Sequence, residues 1–259
     1  MSNDQTYRPV RALVRGIAVL RELNRMGCAT PAEIARATGI DRTTTYRLLA
    51  TLDSLGFVRT GPVGDEFVLT EAVRGLSEGY TSRDKTTQIV AHHLRALWQK
   101  VVWPTDFATF EQGAMIIRET THPFSPYSIH RAMVGQPKPL LTSALGRAAL
   151  AGSSPQHRAT MLEMTYSQNI TQSETREIEN RVDRIVTEYE QLGYAWSNGV
   201  RSGRVSAIAV SVSLKNGEAA ALNLVFFKSA MSIGTAAERF LEALKLCASK
   251  IEEELSDQT

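Results

Sequence analysis

Asp41-Arg42-Thr43-Thr44-Thr45-Tyr46-Arg47-Leu48-Leu49-Ala50-Thr51-Leu52-Asp53-Ser54-Leu55-Gly56 decides the fold of this chain. Asp41 caps a helix and Gly56 closes one, so the run between them reads as a single helix. At about 100° per residue, Thr45, Leu48, Leu49, Leu52 and Leu55 share one face and require a core to pack on. The opposite face presents Thr43, Tyr46, Arg47, Ala50 and Ser54, with Arg42 and Thr44 at its N-terminal edge. Arginine reads guanine edges, threonine meets a thymine methyl or a phosphate, and a tyrosine hydroxyl meets a phosphate. Three consecutive threonines suit a helix interior poorly and a groove-facing first turn better.

The flanking sequence supplies the partners. A helix over 10–26 carries Leu13, Ile17, Leu20 and Leu23 at helical spacing, with Arg8, Arg11 and Arg15 on another side. Thr30-Pro31-Ala32-Glu33 opens a short second helix as a capping box, and Gly39 ends it. Downstream, 57–60 and 66–69 alternate as strands around Gly61-Pro62-Val63-Gly64-Asp65, a hairpin. Helix, sharp turn, helix and hairpin make a winged helix-turn-helix. The charge agrees. Residues 8–60 hold nine arginines and no lysine against Glu22, Glu33, Asp41 and Asp53, a net +5 within a chain of net +2. Guanidinium forks suit phosphates and guanine edges. A winged helix used only for protein contacts is the alternative, and the arginine excess disfavours it.

A helix over about 70–80 leads to Thr81-Ser82-Arg83-Asp84, a polar boundary. Beyond it helices fit 85–102, 143–150, 155–164 and 173–192, and strands fit 105–110, 115–120, 207–214 and 219–227. Lys215-Asn216-Gly217-Glu218 turns the last strand pair, and a final helix aligns Ala237, Phe240, Leu244, Ile251 and Leu255. The pattern is α+β, an antiparallel sheet flanked by helices. The domains are 8–69 for the winged helix-turn-helix, 70–84 for a linker helix, and 85–257 for the larger unit.

Several segments resemble the IclR family of bacterial regulators. They are Val14-Arg15-Gly16-Ile17-Ala18-Val19-Leu20, Glu33-Ile34-Ala35 through Gly39-Ile40, 43–52, Gly56-Phe57-Val58, 139–151, Gly193-Tyr194-Ala195 and Ile208-Ala209-Val210. Within that family, 101–106, 118–122, 130–135, Leu222-Asn223-Leu224-Val225 and Ser229-Ala230-Met231 are most similar to the activators of 3-hydroxyphenylpropionate catabolism. The resemblance implies a GAF-like effector-binding domain behind the DNA-binding domain, and a homodimer that often pairs into a tetramer. It places effector contacts at Tyr127, His130, Ala144, Leu145, Ser197, Val205, Ala207, Asn223 and Val225. The sequence departs from the family at Ser197-Asn198-Gly199, where an acidic run often follows the Gly-Tyr-Ala.

These residues suit a small aromatic acid or phenol. Ala144, Leu145, Val205, Ala207 and Val225 form an apolar wall; Tyr127, His130 and Asn223 are its polar groups; a helix start near Ser143 suits a carboxylate. Asn223, in an otherwise apolar strand, needs partners if buried. The expected function is a regulator that reads a double-stranded DNA operator through Arg42, Thr43, Thr44, Tyr46 and Arg47. Arg15 and Arg59 sit on phosphates, and the heads respond to an effector bound in the larger unit.

Other classes fit less well. No GxSxG, Walker A or GxGxxG motif is present, and His92-His93 lacks metal-ligand spacing. The expectation is therefore no enzyme, no cofactor and no metal, with Cys28 and Cys247 inert at packing positions. A constitutive DNA-binding oligomer without effector is the remaining alternative. No run reaches the roughly 18 apolar residues that span a bilayer, and 1–9 lacks a secretion-signal core, so a cytoplasmic regulator is expected.

Overall fold

The computed structural model describes residues 7–62, 64–78, 85–128, 132–166, 171–199, 203–214 and 217–257. The chain divides into two compact units near residue 81.

The first unit runs α1 (Arg11–Met26), β1 (Cys28–Ala29), α2 (Pro31–Thr38), α3 (Arg42–Ser54), β2 (Val58–Thr60), β3 (Phe67–Leu69) and α4 (Ala72–Glu78). Local chemistry fixes its joints. Thr30 and Glu33 form the capping box of α2, each satisfying a backbone N–H that the helix start leaves open. Gly39, at φ 68°, takes the left-handed conformation that turns α2 into α3. Asp41 caps α3 by accepting the Thr44 N–H at 2.8 Å. The strands β1, β3 and β2 pair antiparallel in that order, so the wing hairpin is anchored to the chain leaving α1. Val19, Leu23, Ala29, Ile34, Ile40, Leu49, Leu52 and Val58 close a small core.

Two details of the apolar pattern differ from expectation. Leu13 and Ile17 are exposed, at 64% and 48%, because α1 is apolar on two sides and its core stripe is Val19 and Leu23. Leu55 is exposed because α3 ends at Ser54 and the chain turns away before the next core position. Of the segment read as a linker, α4 is described, and 79–84 lie outside the described residues.

The second unit runs α5 (Lys85–Val101), β4 (Thr105–Glu111), β5 (Ala114–Thr120), β6 (Pro137–Lys138), α6 (Ala144–Gly152), α7 (Pro155–Thr165), α8 (Gln172–Leu192), β7 (Ala195–Ser197), β8 (Val205–Ser213), β9 (Ala219–Phe227) and α9 (Ile233–Asp257). Six strands make one antiparallel sheet in the order β6-β5-β4-β9-β8-β7. Alternation along β8 and β9 sends Ile208, Val210, Leu222, Leu224 and Phe226 to one face, under α5 and α9. Ala207, Ala209 and Ala221 go to the other face, under α6 and α8. This α+β unit with a curled sheet is of the GAF-like type. Of the 215–218 turn, Lys215 and Asn216 lie outside the described residues.

Alanines on that second face let α6 lie close to the sheet. A Cβ on Gly152 would stand 2.3 Å from the Ser211 Cβ, and one on Gly146 would stand 2.1 Å from the Leu140 carbonyl oxygen. No helix among the described residues is long and apolar enough to cross a membrane.

The two cysteines are not alike. Cys28 is exposed rather than packed, whereas Cys247 is buried between α5 and α9, and burial pushes its thiol up to about 12. The thiolate is the reactive form. Native protein at pH 8 is therefore expected to give one rapid equivalent of thiol with Ellman's reagent and two after denaturation. Two rapid equivalents in the native state would contradict the α5–α9 packing.

Candidate nucleic-acid interface and ligand-binding face

On α3 the buried side is Thr45, Leu49 and Leu52, with Leu48 half-buried. Thr45 is fully buried, and its hydroxyl is satisfied by donating to the Asp41 carbonyl at 3.0 Å. The other side presents Arg42, Thr43, Tyr46, Arg47, Ala50 and Ser54 to solvent, with Thr44 at the half-buried edge. The Arg42 guanidinium lies 5.7 Å from the Tyr46 ring centroid, and interaction with the Tyr46 side chain raises its pKa further. The Thr44 hydrogen bond holds Asp41 below the usual carboxylate range, with Arg15 adding to the effect. Arg15 thus stands near the capped start of α3. Arg59 is exposed on β2, opposite Val68. The seven residues read from the sequence as DNA contacts are brought to one head, and none is in its core.

In the second unit, register assembles most of the expected effector residues. Ser197, Ala207 and Val225 stand side by side across β7, β8 and β9. One step along the strands, on the same face, lie Ala195, Ala209, Asn223 and Asp106. Val205 begins β8 opposite Phe227. Ala144 and Leu145 open α6 and pack in the apolar layer with Ala207 and Val225. Ser143 caps α6, accepting the Gly146 N–H at 3.0 Å and donating to the Pro139 carbonyl at 2.7 Å. That leaves the first-turn N–H groups of Ala144 and Leu145 as donors.

Tyr127 is not in that layer. Its half-exposed ring stacks on Trp103 at 4.5 Å, and Trp103 in turn meets Phe227 edge-on at 5.9 Å. It borders the sheet end where Val205 stands. His130 lies outside the described residues.

Asn223 is buried, and it has a partner: its Oδ1 accepts the Asp106 N–H at 2.8 Å. That bond fixes the amide orientation and leaves Nδ2 without a partner among the described residues. Asp106 itself, wholly buried on β4, was not singled out from the sequence, nor was His122. Asp106 Oδ1 accepts from Thr120 Oγ1 at 2.7 Å, and Oδ2 faces His122 Nε2 at 3.6 Å. Burial alone would push this carboxyl up. Attraction to His122, the Thr120 hydrogen bond and Lys138 outweigh it and hold the pKa below the ordinary value. The available signal is an acid inside the run 105–110, whose other residues are apolar or threonine. His122 gave none, because no local spacing relates it to Asp106.

Replacing Asn223 by alanine removes the acceptor of a buried N–H, which typically costs about 1–3 kcal/mol. The variant's urea midpoint is expected to fall accordingly; an unchanged midpoint would show that this bond contributes nothing to stability.

Comparison with known proteins agrees with this division. The IclR helix-turn-helix domain matches residues 12–62, and the bacterial transcriptional regulator IclR C-terminal domain matches residues 78–253. The DNA-binding transcriptional repressor YiaJ of Escherichia coli (strain K12) is 26% identical over 213 residues, covering 78% of this chain and 72% of its own. Two solved structures share the fold. An IclR transcriptional regulator from Alicyclobacillus acidocaldarius has 23% identity and a TM-score of 0.61, over 96% of this chain and 100% of its own. An IclR homologue from Microbacterium hydrocarbonoxydans, complexed with 4-hydroxybenzoate, has 20% identity and a TM-score of 0.57, over 95% and 100%.

Proposed function

Because the chain belongs to the IclR family and is a DNA-binding transcriptional regulator, we propose that its second unit is switched by a hydroxylated aromatic acid or related phenol of aromatic catabolism. The observation that carries this reading is the pair of rows Ser197-Ala207-Val225 and Ala209-Asn223-Asp106 on one sheet face. They combine an apolar wall with a few convergent polar groups, as small-molecule sites do. The start of α6 suits the carboxylate, and Val225, Ala207 and Leu145 suit the ring. The fold-sharing homologue with 4-hydroxybenzoate supports the ligand class. So do the segments that resemble the activators of 3-hydroxyphenylpropionate catabolism.

The corresponding partner is a double-stranded DNA operator, read by 8–69 through the exposed face of α3, with Arg15 and Arg59 on phosphates. The segment 70–84 connects this head to 85–257, which binds effector and oligomerises. A homodimer, or a tetramer built from two, presents two heads to two half-sites. Val10, at the N-cap of α1, and Leu13, Val14 and Ile17 on it form an exposed apolar stripe that suits a second copy of the chain.

Two measurements test the reading. Arg47→Ala is expected to weaken operator binding about ten- to a hundredfold while leaving effector affinity unchanged, because a base-edge arginine typically carries that much. Equal operator affinity would remove Arg47 from the interface. A thermal-shift panel of phenolic acids, phenols and short aliphatic acids tests the switch. At a hundredfold excess over Kd the true effector stabilises by about 2.7 kcal/mol. A panel with no shift would favour a constitutive DNA-binding oligomer.

A further inference from the structure

Three buried side-chain atoms among the described residues have no hydrogen-bond partner: Trp98 Nε1, Asp106 Oδ2 and His122 Nε2. Buried polar atoms are paired in nearly all native proteins, so each exception asks for a reason. The last two face each other at 3.6 Å, an ion-pair distance too long for a hydrogen bond, so each still has room for a polar partner beside the pair.

The side chains around them are held in place. Asp106 is fixed through Oδ1 by Thr120. His122 follows a clasp in which the Thr121 N–H donates to the Thr105 carbonyl at 2.9 Å and the Thr105 N–H donates to Thr121 Oγ1 at 2.8 Å. Its Nδ1 meets Ser128 Oγ at 2.6 Å. The Asp106 N–H orients Asn223, whose Nδ2 is the third open group at this place. The side chains that bear these open atoms are all at least nine-tenths buried.

The open valences specify their partner. An ionised carboxylate oxygen only accepts, so whatever meets Asp106 Oδ2 brings a hydrogen. A ligand carboxylate is excluded there by charge. In the tautomer whose Nδ1 accepts from Ser128, His122 Nε2 carries a hydrogen, and Asn223 Nδ2 carries two. An ammonium would satisfy Asp106 and then oppose those donors. A hydroxyl oxygen meets all three groups, because it donates once and accepts twice.

We propose that Asp106, His122 and Asn223 form the hydroxyl-recognising end of the effector site, taking the phenolic or alcoholic oxygen of the ligand. The inference rests on the reading that this sheet face binds a hydroxylated acid. It assigns an orientation within that reading: hydroxyl at the β4–β9 centre, carboxylate at the start of α6.

The test is calorimetric titration of the full-length protein with acids that differ by one hydroxyl. The pairs are 3-(3-hydroxyphenyl)propionate and 3-phenylpropionate, 4-hydroxybenzoate and benzoate, and the aliphatic pair 3-hydroxybutyrate and butyrate. Wild type is expected to favour the hydroxylated member of the bound pair by about a hundredfold or more, since a site built for a hydroxyl rejects its absence. Asp106→Asn and His122→Gln are each expected to cut that ratio below about tenfold while leaving affinity for the deoxy acid within about threefold. Retained discrimination in a folded His122→Gln protein overturns the inference, even if Asp106→Asn fails to fold. Equal wild-type affinity for both members of the bound pair also overturns it, and leaves the aromatic-acid reading standing. Binding confined to the aliphatic pair has the opposite effect: it removes the aromatic reading and keeps the hydroxyl inference if the ratio behaves as stated. Binding of no member of any pair removes both.

Discussion

A helix approaches a sheet only as closely as the side chains between them allow, and in the second unit alanines supply much of that layer, beside Leu145 and Leu150. Ala207, Ala209 and Ala221 on the strands share one cluster with Ala148 and Ala149 on α6, Gly146 lies against the Leu140 backbone, and Gly152 lies against the Ser211 side chain. Larger residues would lift α6 and carry its capped start away from Ala207 and Val225. Past Ala209 the row continues into Asn223 and Asp106, where polar atoms take the place of methyl groups on the face.

A buried carboxylate in the central strand depends equally on register. The pairing of β4 with β5 shifts between Phe107 and Ala108, so that Phe107 faces Glu119 and Asp106 faces Thr120. Continued without the shift, the ladder would set Glu119 opposite Asp106, two acids side by side on one face. A bulge inserts one residue and exchanges the faces of everything beyond it. Here it replaces a second negative charge with a hydroxyl donor, and sends Glu119 to the other side, where burial pushes its pKa up. The irregularity is what makes an ionised Asp106 tolerable.

These features explain what the sequence could and could not disclose. Helices announce themselves through caps: Thr30 with Glu33, Asp41, Ser143 and Thr171 with Glu174 each leave a local signature, and each helix starts where its cap stands. The strands β1, β6 and β7 are two or three residues long and exist only through their partners, so no local pattern announces them. Leu13 and Ile17 fit the helical period of α1 perfectly well, yet periodicity cannot say which of two apolar sides faces the core. The row of Ser197, Ala207 and Val225 followed from resemblance alone, and register explains why those positions meet. Asp106 and His122 escaped because a bulged ladder and a clasped turn, neither visible locally, bring them together.

The two units use polar groups in contrasting ways. In the head, the buried Thr45 hydroxyl, the Asp41 carboxylate and the ends of α2 and α3 all find partners within their own segment. The side-chain donors on the outer face of α3, the face proposed to meet DNA, are open to water. In the second unit Asp106 Oδ2 and His122 Nε2 are buried together, and water at the surface cannot serve them. An exposed surplus of donors suits a partner as large and polyanionic as a duplex. The buried, unpartnered atoms of Asp106 and His122 suit one small oxygen, and in the proposed site their cost when unmet is what a ligand hydroxyl would relieve.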